Sequence, residues 1–536
     1  MMRSWRVHFT VTLAFTATVT SALGGRNNDE QGVLAPVEQS ITKAADRSHK
    51  DIRPTILSTE LVTTTALPGS DTPAEHWTPD RYDPYVCEYM GENGCWQPSE
   101  PGDGPPYFHD GNWPSRSKMC VVEASNDENG DDSPSILAAF DECKEDGHII
   151  FENTTYYVGT VMNTTGLKNV DIELKGTMLW STDIEYWLQA SLPVGFQNQT
   201  SAWHLGGEGI HFFGHGAGTL DGNGQVYVSN VPTLLSFILL TISSWYDYNH
   251  GQSNLHGRPH AITITETKDS VIEGSHHKGL RFVKSQMWTM TVARSEKVLL
   301  QDIYVNNSSE DREFRSNVNT DGVDTVYANN ITMLRWTVDC GDDSISMKQN
   351  STNIYIANST FYNGIGFAMG SIGQYPGQIE VIENVTAENI VTYNSRMGGR
   401  VKTSTGLNTG YPPNGGGGGF GYAKNITFRN FELHNAQQAW AITQCTSYNG
   451  VKGGCDTSRF KIEGMYWGNT TGTITGSNVA TLQCSKANPC EDIELVGNHV
   501  VRAGTQDKVE GYLCSNVQSK EGFECTGDCD QNRCPH

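Results

Sequence analysis

Positive charge is scarce in this 536-residue chain, where 37 Lys and Arg face 60 Asp and Glu for a formal net charge of -23. The overall field repels polyanions, which argues against a nucleic-acid partner. Charged residues of either sign make up only 18% of the chain. Long apolar runs are missing too: past residue 19 nothing approaches about 18 uninterrupted apolar positions, so no membrane span is expected. No HExxH occurs and the cysteine spacings do not resemble zinc sites, so neither a metal nor a cofactor is expected. Helical periodicity is confined to SPSILAAFDEC, residues 133 to 143, whose expected place is a short N-terminal cap on one end of the body.

What is present points to export. Arg3 and Arg6 precede an apolar run from Val11 to Val19 and small residues near Ala22, the pattern of a signal peptide over residues 1–22. Residues 23–80, rich in Thr, Ser, Asp and Pro, read as a flexible leader, and 81–118 as an irregular, disulfide-tied segment. Sequons stand at Asn153, Asn163, Asn198, Asn330, Asn350, Asn358, Asn384, Asn425 and Asn469. Of the 13 cysteines, twelve fall into close pairs: Cys87 with Cys95, Cys120 with Cys143, Cys445 with Cys455, Cys484 with Cys490, Cys514 with Cys525, and Cys529 with Cys534. Such local loops suit disulfides in a secreted, extracellular protein. Cys340 is left over; with no basic neighbour to activate it, it reads as buried and inert.

From residue 119 to 526, short strands rich in Val, Ile, Thr and Phe alternate with Asn, Gly and Asp, for example GIHFFG, TVYANNITMLRWTV and SISMKQNSTNIYIANSTFY. They recur at a spacing of roughly 20 to 25 residues, within the range of solenoid repeats. The fold class expected is all-β, a single-stranded parallel β-helix, with 527–536 as a C-terminal tail. Gly214, Gly216 and Gly218 mimic a nucleotide-binding loop, but no helix signal follows, and a tight turn is the better reading.

In such a helix, residues one coil apart become neighbours. Asp321 in NTDGVD and the pair Asp342–Asp343 in GDDS would then share one face, provided the backbone bends so that adjacent aspartates both point outward. Gly341 is a candidate for that bend. Clustered carboxylates suit glycoside hydrolysis, one held protonated to donate and others ionised to activate water. On spacing alone, a ladder of Asp residues that binds calcium or caps loops is an equal reading. The small-residue run GIGFAMGSIG and the GRVK that follows shift the balance. Arg400 and Lys402, two apart on a strand, would form a cationic clamp for a carboxylate.

In that order and spacing, NTDGVD, GDDS, GIGFAMGSIGQY and GRVK resemble the four signature segments of the polygalacturonase family, glycoside hydrolase family 28. The resemblance runs from about residue 120 to 526. It implies a right-handed helix, hydrolysis with inversion, Asp342 as general acid, and Asp321 with Asp343 as activators of water. Arg400 and Lys402 would grip a galacturonate after the scissile bond, with Asn319, Ile365 and Gly366 as further substrate contacts. Inversion implies acid and base carboxyls about 6.5–9.5 Å apart.

One position departs from the family pattern. Where its third motif reads Gly-His-Gly, this chain has Ile365. An apolar wall suits the methyl group of a 6-deoxy sugar such as rhamnose and leaves a carboxylate poorly paired. STDIEYW, SQMWTMTV, RPHAIT and YPPNGGGGGFGY resemble the fungal exo-acting members, among them α-L-rhamnosidases and exo-polygalacturonases. Loops at residues 243–259 and Gly415–Gly419 would close one end of the cleft. The expected partner is a pectic polysaccharide or oligosaccharide, bound by a monomer. The competing readings are exo-polygalacturonase, a pectin lyase and a non-catalytic polysaccharide-binding β-helix.

Overall fold

The computed structural model describes residues 116–225, 244–249, 254–274, 279–309, 317–447, 453–529 and 534. The expected signal peptide, the leader, almost all of 81–118 and the Cys87–Cys95 pair lie outside the described residues. Within them the chain winds as a parallel β-helix, each strand of the large sheet pairing in parallel with the one a full coil later, while Leu192–Pro193, Thr200–Ser201 and Pro259–His260 form a small separate sheet. The sheet that matters here stacks Ile262–Thr265, Met290–Ala293, Val323–Val326, Asp343–Met347, Gly366–Ile372, Met397–Ser404 and Gln438–Thr446.

Alternation along these strands decides what lies inside. Ile262, Met290, Val323, Ile345 and Phe367 occupy equivalent positions in successive coils, and all are fully buried. The next position outward on the same coils holds Thr263, Thr291, Asp324, Ser346, Ala368 and Arg400. One row therefore builds the apolar core, and the row beside it carries polar side chains.

Asparagine turns the corners. Asn358, Asn389, Asn430 and Asn469 each adopt a left-handed conformation with φ between 54° and 58°, which Asn tolerates better than most residues. Their amides stack into a ladder, with Asn389 Nδ2 3.2 Å from Asn358 Oδ1 and Asn430 Nδ2 3.0 Å from Asn389 Oδ1. A parallel ladder runs through Asn353, Asn384 and Asn425. The sequon residues Asn384, Asn425 and Asn469 thus donate their amides within the fold. Asn153, Asn163, Asn198 and Asn358 are exposed, and Asn330 and Asn350 half-buried.

The cap forms where the amphipathic pattern lies. Ser133–Glu142 is helical, starts with Pro134 in its first turn, and buries Ile136, Ala139 and Phe140. Phe140 meets Trp203 edge-on at 6.0 Å, and Cys143, just past the helix, is bonded to Cys120. The pairs Cys445–Cys455, Cys484–Cys490, Cys514–Cys525 and Cys529–Cys534 are also joined, and Cys340 is free and buried. No helix among the described residues is long and apolar enough to cross a membrane.

Two expectations need correction. Helix is not limited to the cap: Ile184–Ala190 is a second helix, started by Asp183, whose side chain accepts from Tyr186 N at 3.0 Å. Nor is the coil length steady. Lys348 reaches Gly370 O across 22 residues, but the rung from Asn425 to Asn384 spans 41, because loops are inserted between strands in the later coils.

The ladder makes a test of the corners. Asn389→Ala should lower unfolding free energy by about 1–3 kcal/mol, through two lost hydrogen bonds and the cost of a left-handed alanine. Asn389→Gly should cost less, since glycine takes that φ freely. Urea midpoints that fall equally for both variants would contradict this account.

Candidate active site

Asp321, Asp342 and Asp343 reach one place from two consecutive coils. Asp321 closes the turn before Val323–Val326, and Asp342 sits in the bend before Asp343–Met347. The turns are tied together. Gly341 N donates to Thr320 Oγ1 at 3.0 Å, across 21 residues, and Gly322 N donates to Asp343 O at 3.1 Å. Gly341 earns its place through close approach: a Cβ there would lie 2.1 Å from Asn317 O.

The bend that lets adjacent aspartates face one cavity comes just after them. Pairing with the next coil shifts register between Asp343 and Ile345, so Ser344 is an extra residue and the alternation resets. Each of the three carboxyls offers an oxygen within 4.8 Å of the others. That is tighter than the 6.5–9.5 Å expected of an inverting pair. The cause is the fold, since neighbouring parallel strands stand about 4.8 Å apart.

Burial and charge treat the three differently. Asp321, 2% exposed, is pushed well above the usual carboxylate range by burial and then by Asp324, Asp342 and Asp343. Burial and the adjacent Asp343 also raise Asp342, against the pull of Lys402, Arg400 and Lys348. For Asp343, burial opposes the charge, but Arg400, Lys402 and Lys348 together outweigh it and hold the group below the usual range. Arg400 Nη2 lies 2.6 Å from Asp343 Oδ1. The cluster thus keeps charge on Asp343 and a proton among its neighbours. Asp342 is the half-buried member, and Asn319 directs both its backbone N–H (3.3 Å) and its side-chain amide (3.2 Å) at Asp342 Oδ2.

The same three oxygens are the one group of carboxylate, histidine and thiol ligands among the described residues that could hold a metal ion. Arg400 at 2.6 Å and Lys348 at 4.0 Å from Asp343 already supply positive charge there, which suits proton transfer better than cation binding.

The trio opens into a cavity of about 340 Å³ that Ile365, Lys348, Arg400, Lys402 and Arg396 also line. A second cavity, about 490 Å³, is lined by Gly195, Arg294, Ser295, Glu296, Tyr327 and Asn329, and has no comparable carboxylate cluster. Of the third motif, Ile365 and Ser371 line the catalytic cavity, while Phe367 and Met369 are fully buried in the core. Gly366 is not a lining residue. It pairs with Asp343, and a Cβ on it would lie 2.1 Å from Met397 O. Small Gly366 and Ala368 are the residues on the coil between Asp343 and Arg400.

The cavity wall formed from earlier coils is neutral. Leu192–Pro193 runs antiparallel to Thr200–Ser201, and the loop between them projects Gln197 and Gln199 into the cavity. Phe196 anchors the loop on Trp288 and Tyr375, both at 6.4 Å, and Gln197 N donates to Tyr375 Oη at 2.8 Å. Gln197 also bonds to Gln374, and Gln199 to Gln197 at 3.0 Å and His260 at 2.9 Å. Burial holds His260 down at about 3, so it is uncharged. Asn414 Nδ2 donates to Asn254 O at 2.9 Å, joining the two loop regions singled out from the sequence, and Asn254 and Pro413 both line the cavity.

Sequence reasoning missed Lys348, Asp324, Trp288, Gln197 and Gln199. Lys348 and Asp324 had a signal, since Lys348 sits in the quoted strand SISMKQ on the outward alternation and Asp324 closes the motif NTDGVD. The Gln197 loop had none, because its position depends on contacts with Trp288 and Tyr375 far along the chain.

Comparison with known proteins agrees with this geometry. The model of Glycosyl hydrolases family 28 matches residues 158–523. The chain is 44% identical over 411 residues to the Aspergillus niger protein named alpha-L-rhamnosidase rgxB, covering 76% of this chain and 90% of that one. It is 34% identical over 425 residues to Aspergillus niger exopolygalacturonase X, covering 78% and 90%. Endo-xylogalacturonan hydrolase from Aspergillus tubingensis shares the fold with a TM-score of 0.60 at 22% identity, covering 77% of this chain and all of that one. With its carboxylate trio on two stacked coils and a family match spanning most of its length, the chain belongs to Glycosyl hydrolases family 28 and is a glycosidase.

Proposed function

We propose that this pectin-degrading glycosidase is a secreted, exo-acting α-L-rhamnosidase that removes rhamnose from rhamnogalacturonan-type chains with inversion. The observation that carries the substrate is the division of the cavity. Ile365, Trp288, Gln197, Gln199 and Asn254 offer apolar and amide groups, whereas Arg396, Arg400 and Lys402 bring positive charge. A neutral deoxy sugar fits the first set and a uronate the second. The likeness to alpha-L-rhamnosidase rgxB supports the same reading. The Asn414–Asn254 contact and the Gln197 loop support exo action by closing the cavity on the side of the earlier coils. Five disulfides among the described residues suit an extracellular location.

In this mechanism Asp342, half-buried and facing the cavity, protonates the leaving oxygen. Water lies between Asp321 and Asp343. Two oxygens up to 4.8 Å apart can both hydrogen-bond one water at about 2.7 Å each, so the tight trio accommodates the nucleophile. Asp343, kept ionised by Arg400, takes the proton. Arg400 is thereby committed to Asp343, and Lys402 carries more of the contact with a uronate after the scissile bond.

Three outcomes check this. Incubated with p-nitrophenyl rhamnoside, rhamnogalacturonan oligomers and polygalacturonate, the protein should release rhamnose, and proton NMR should show the β-anomer first; galacturonate as sole product assigns the exo-polygalacturonase reading instead. Asp342→Asn should lower kcat by about 10²–10⁴-fold with KM little changed; an unchanged kcat would remove Asp342 from the role of general acid. Lys402→Met should raise KM for rhamnogalacturonan oligomers about tenfold, a loss of about 1.4 kcal/mol, and leave the small rhamnoside unaffected. Equal effects on both substrates would contradict the placement of the uronate.

A further inference from the structure

Lys348 is a buried cation beside the trio that the mechanism above leaves without a role. Its side chain is 4% exposed, and it follows Ser346 on the outward face, because the extra residue Ser344 sets the alternation that leaves Ile345 and Met347 in the core. The ammonium lies within hydrogen-bond reach of Ser346 Oγ at 2.7 Å, Gly370 O at 2.9 Å and Asp324 Oδ1 at 3.1 Å. Two N–H groups thus donate to Ser346 and Gly370, and the charge is paired with Asp324. The Trp288 ring covers it, centroid 4.9 Å away. Asp343 Oδ2 stands at 4.0 Å, too far for a hydrogen bond and close enough for charge to act.

Each oxygen of Asp343 thus has its own cation, Arg400 on Oδ1 and Lys348 near Oδ2. Asp343 also faces Asp321 and Asp324 from the preceding coil, Asp342 beside it, and Lys402 beyond Arg400, with Arg258 close to Asp321 and Asp342. The plain alternative is that Lys348 only ties three coils together through Asp324, Ser346 and Gly370. A buried ion pair is a poor device for that, since an apolar pair of similar volume is often as stabilising or more so.

We infer that Lys348 is a positioning residue for the hydrolysis: with Arg400 it fixes the Asp343 carboxylate, in charge and orientation, toward the attacking water, and Asp324 is the counter-ion that keeps Lys348 charged. This rests on the reading of Asp343 as the group that takes the water's proton. The direction of the effect follows from the sign. Removing a cation from beside a carboxylate favours its neutral form, so the acidic limb of the rate profile moves to higher pH and activity is lost first at low pH.

Lys348→Met alone strands a buried Asp324, so Lys348→Met with Asp324→Asn is the decisive variant. Measured on whichever linkage the wild type cleaves, the double variant should keep its melting temperature and KM within about twofold. Lys348 bears on Asp343 more strongly than Asp324 does, so in the double variant kcat near the acidic limb should still fall about tenfold or more and the limb should move up. Lys348→Arg should recover part of the loss. A folded double variant with the wild-type pH profile and kcat would overturn the proposal and leave Lys348 structural. Carboxyl carbon NMR titration of Asp343 in both proteins, independent of any substrate, should show the same upward move. An unmoved Asp343 titration also overturns the proposal. Rate loss without that move indicts the assignment of Asp343 as the base.

Discussion

One spacing governs this molecule: consecutive coils of a parallel β-helix lie a single strand separation apart. Placing aspartates on the turns before two consecutive strands therefore brings their oxygens within 4.8 Å, whatever the chain does elsewhere. With Asp324 on the adjacent row, four carboxylates share a region where three are buried. Like charges this close, out of water, cannot all ionise unless cations accompany them. Arg400 and Lys348 are those cations, and their placement on the Asp343 side leaves Asp321 and Asp342 to hold the proton.

The same spacing explains why small residues surround the site. Arg400 reaches Asp343 over an intervening coil, and the positions it passes are Gly366 and Ala368. A larger side chain at Ala368 would stand in that path, and at Gly366 even a Cβ would meet Met397 O. Gly341 answers a similar demand beneath Asp342, where the backbone of Asn317 leaves no room for a Cβ. The catalytic chemistry thus depends on what neighbouring coils omit as much as on what they carry.

Much of this was legible in the sequence for a physical reason. Alternation of period two, asparagine at the corners and a coil-length spacing between NTDGVD and GDDS are all local, so the solenoid and the gathering of Asp321, Asp342 and Asp343 could be read directly. The limits were equally physical. Whether Ile365, Phe367 or Met369 faced the ligand depended on register, and register depended on a bulge at Ser344 that no local signal announced. Gly341 was expected to supply the bend, but it answers a tight contact with Asn317, and the alternation resets after Asp343, at Ser344. Arg400 lines the cavity as expected of a substrate contact, and its bond to Asp343, 57 residues away, is one that only packing reveals. Coil lengths drifted from the expected period wherever loops were inserted, and the Asp183-capped helix is too short to show periodicity.

The central claim is a division of protons among three neighbouring carboxyls, and neutron diffraction from deuterium-exchanged crystals near the pH of activity sees it most directly. The account predicts Asp343 without a deuteron and paired to Arg400, and a deuteron within the Asp321–Asp342 pair. A deuteron on Asp343, or three carboxylates with none, would contradict it.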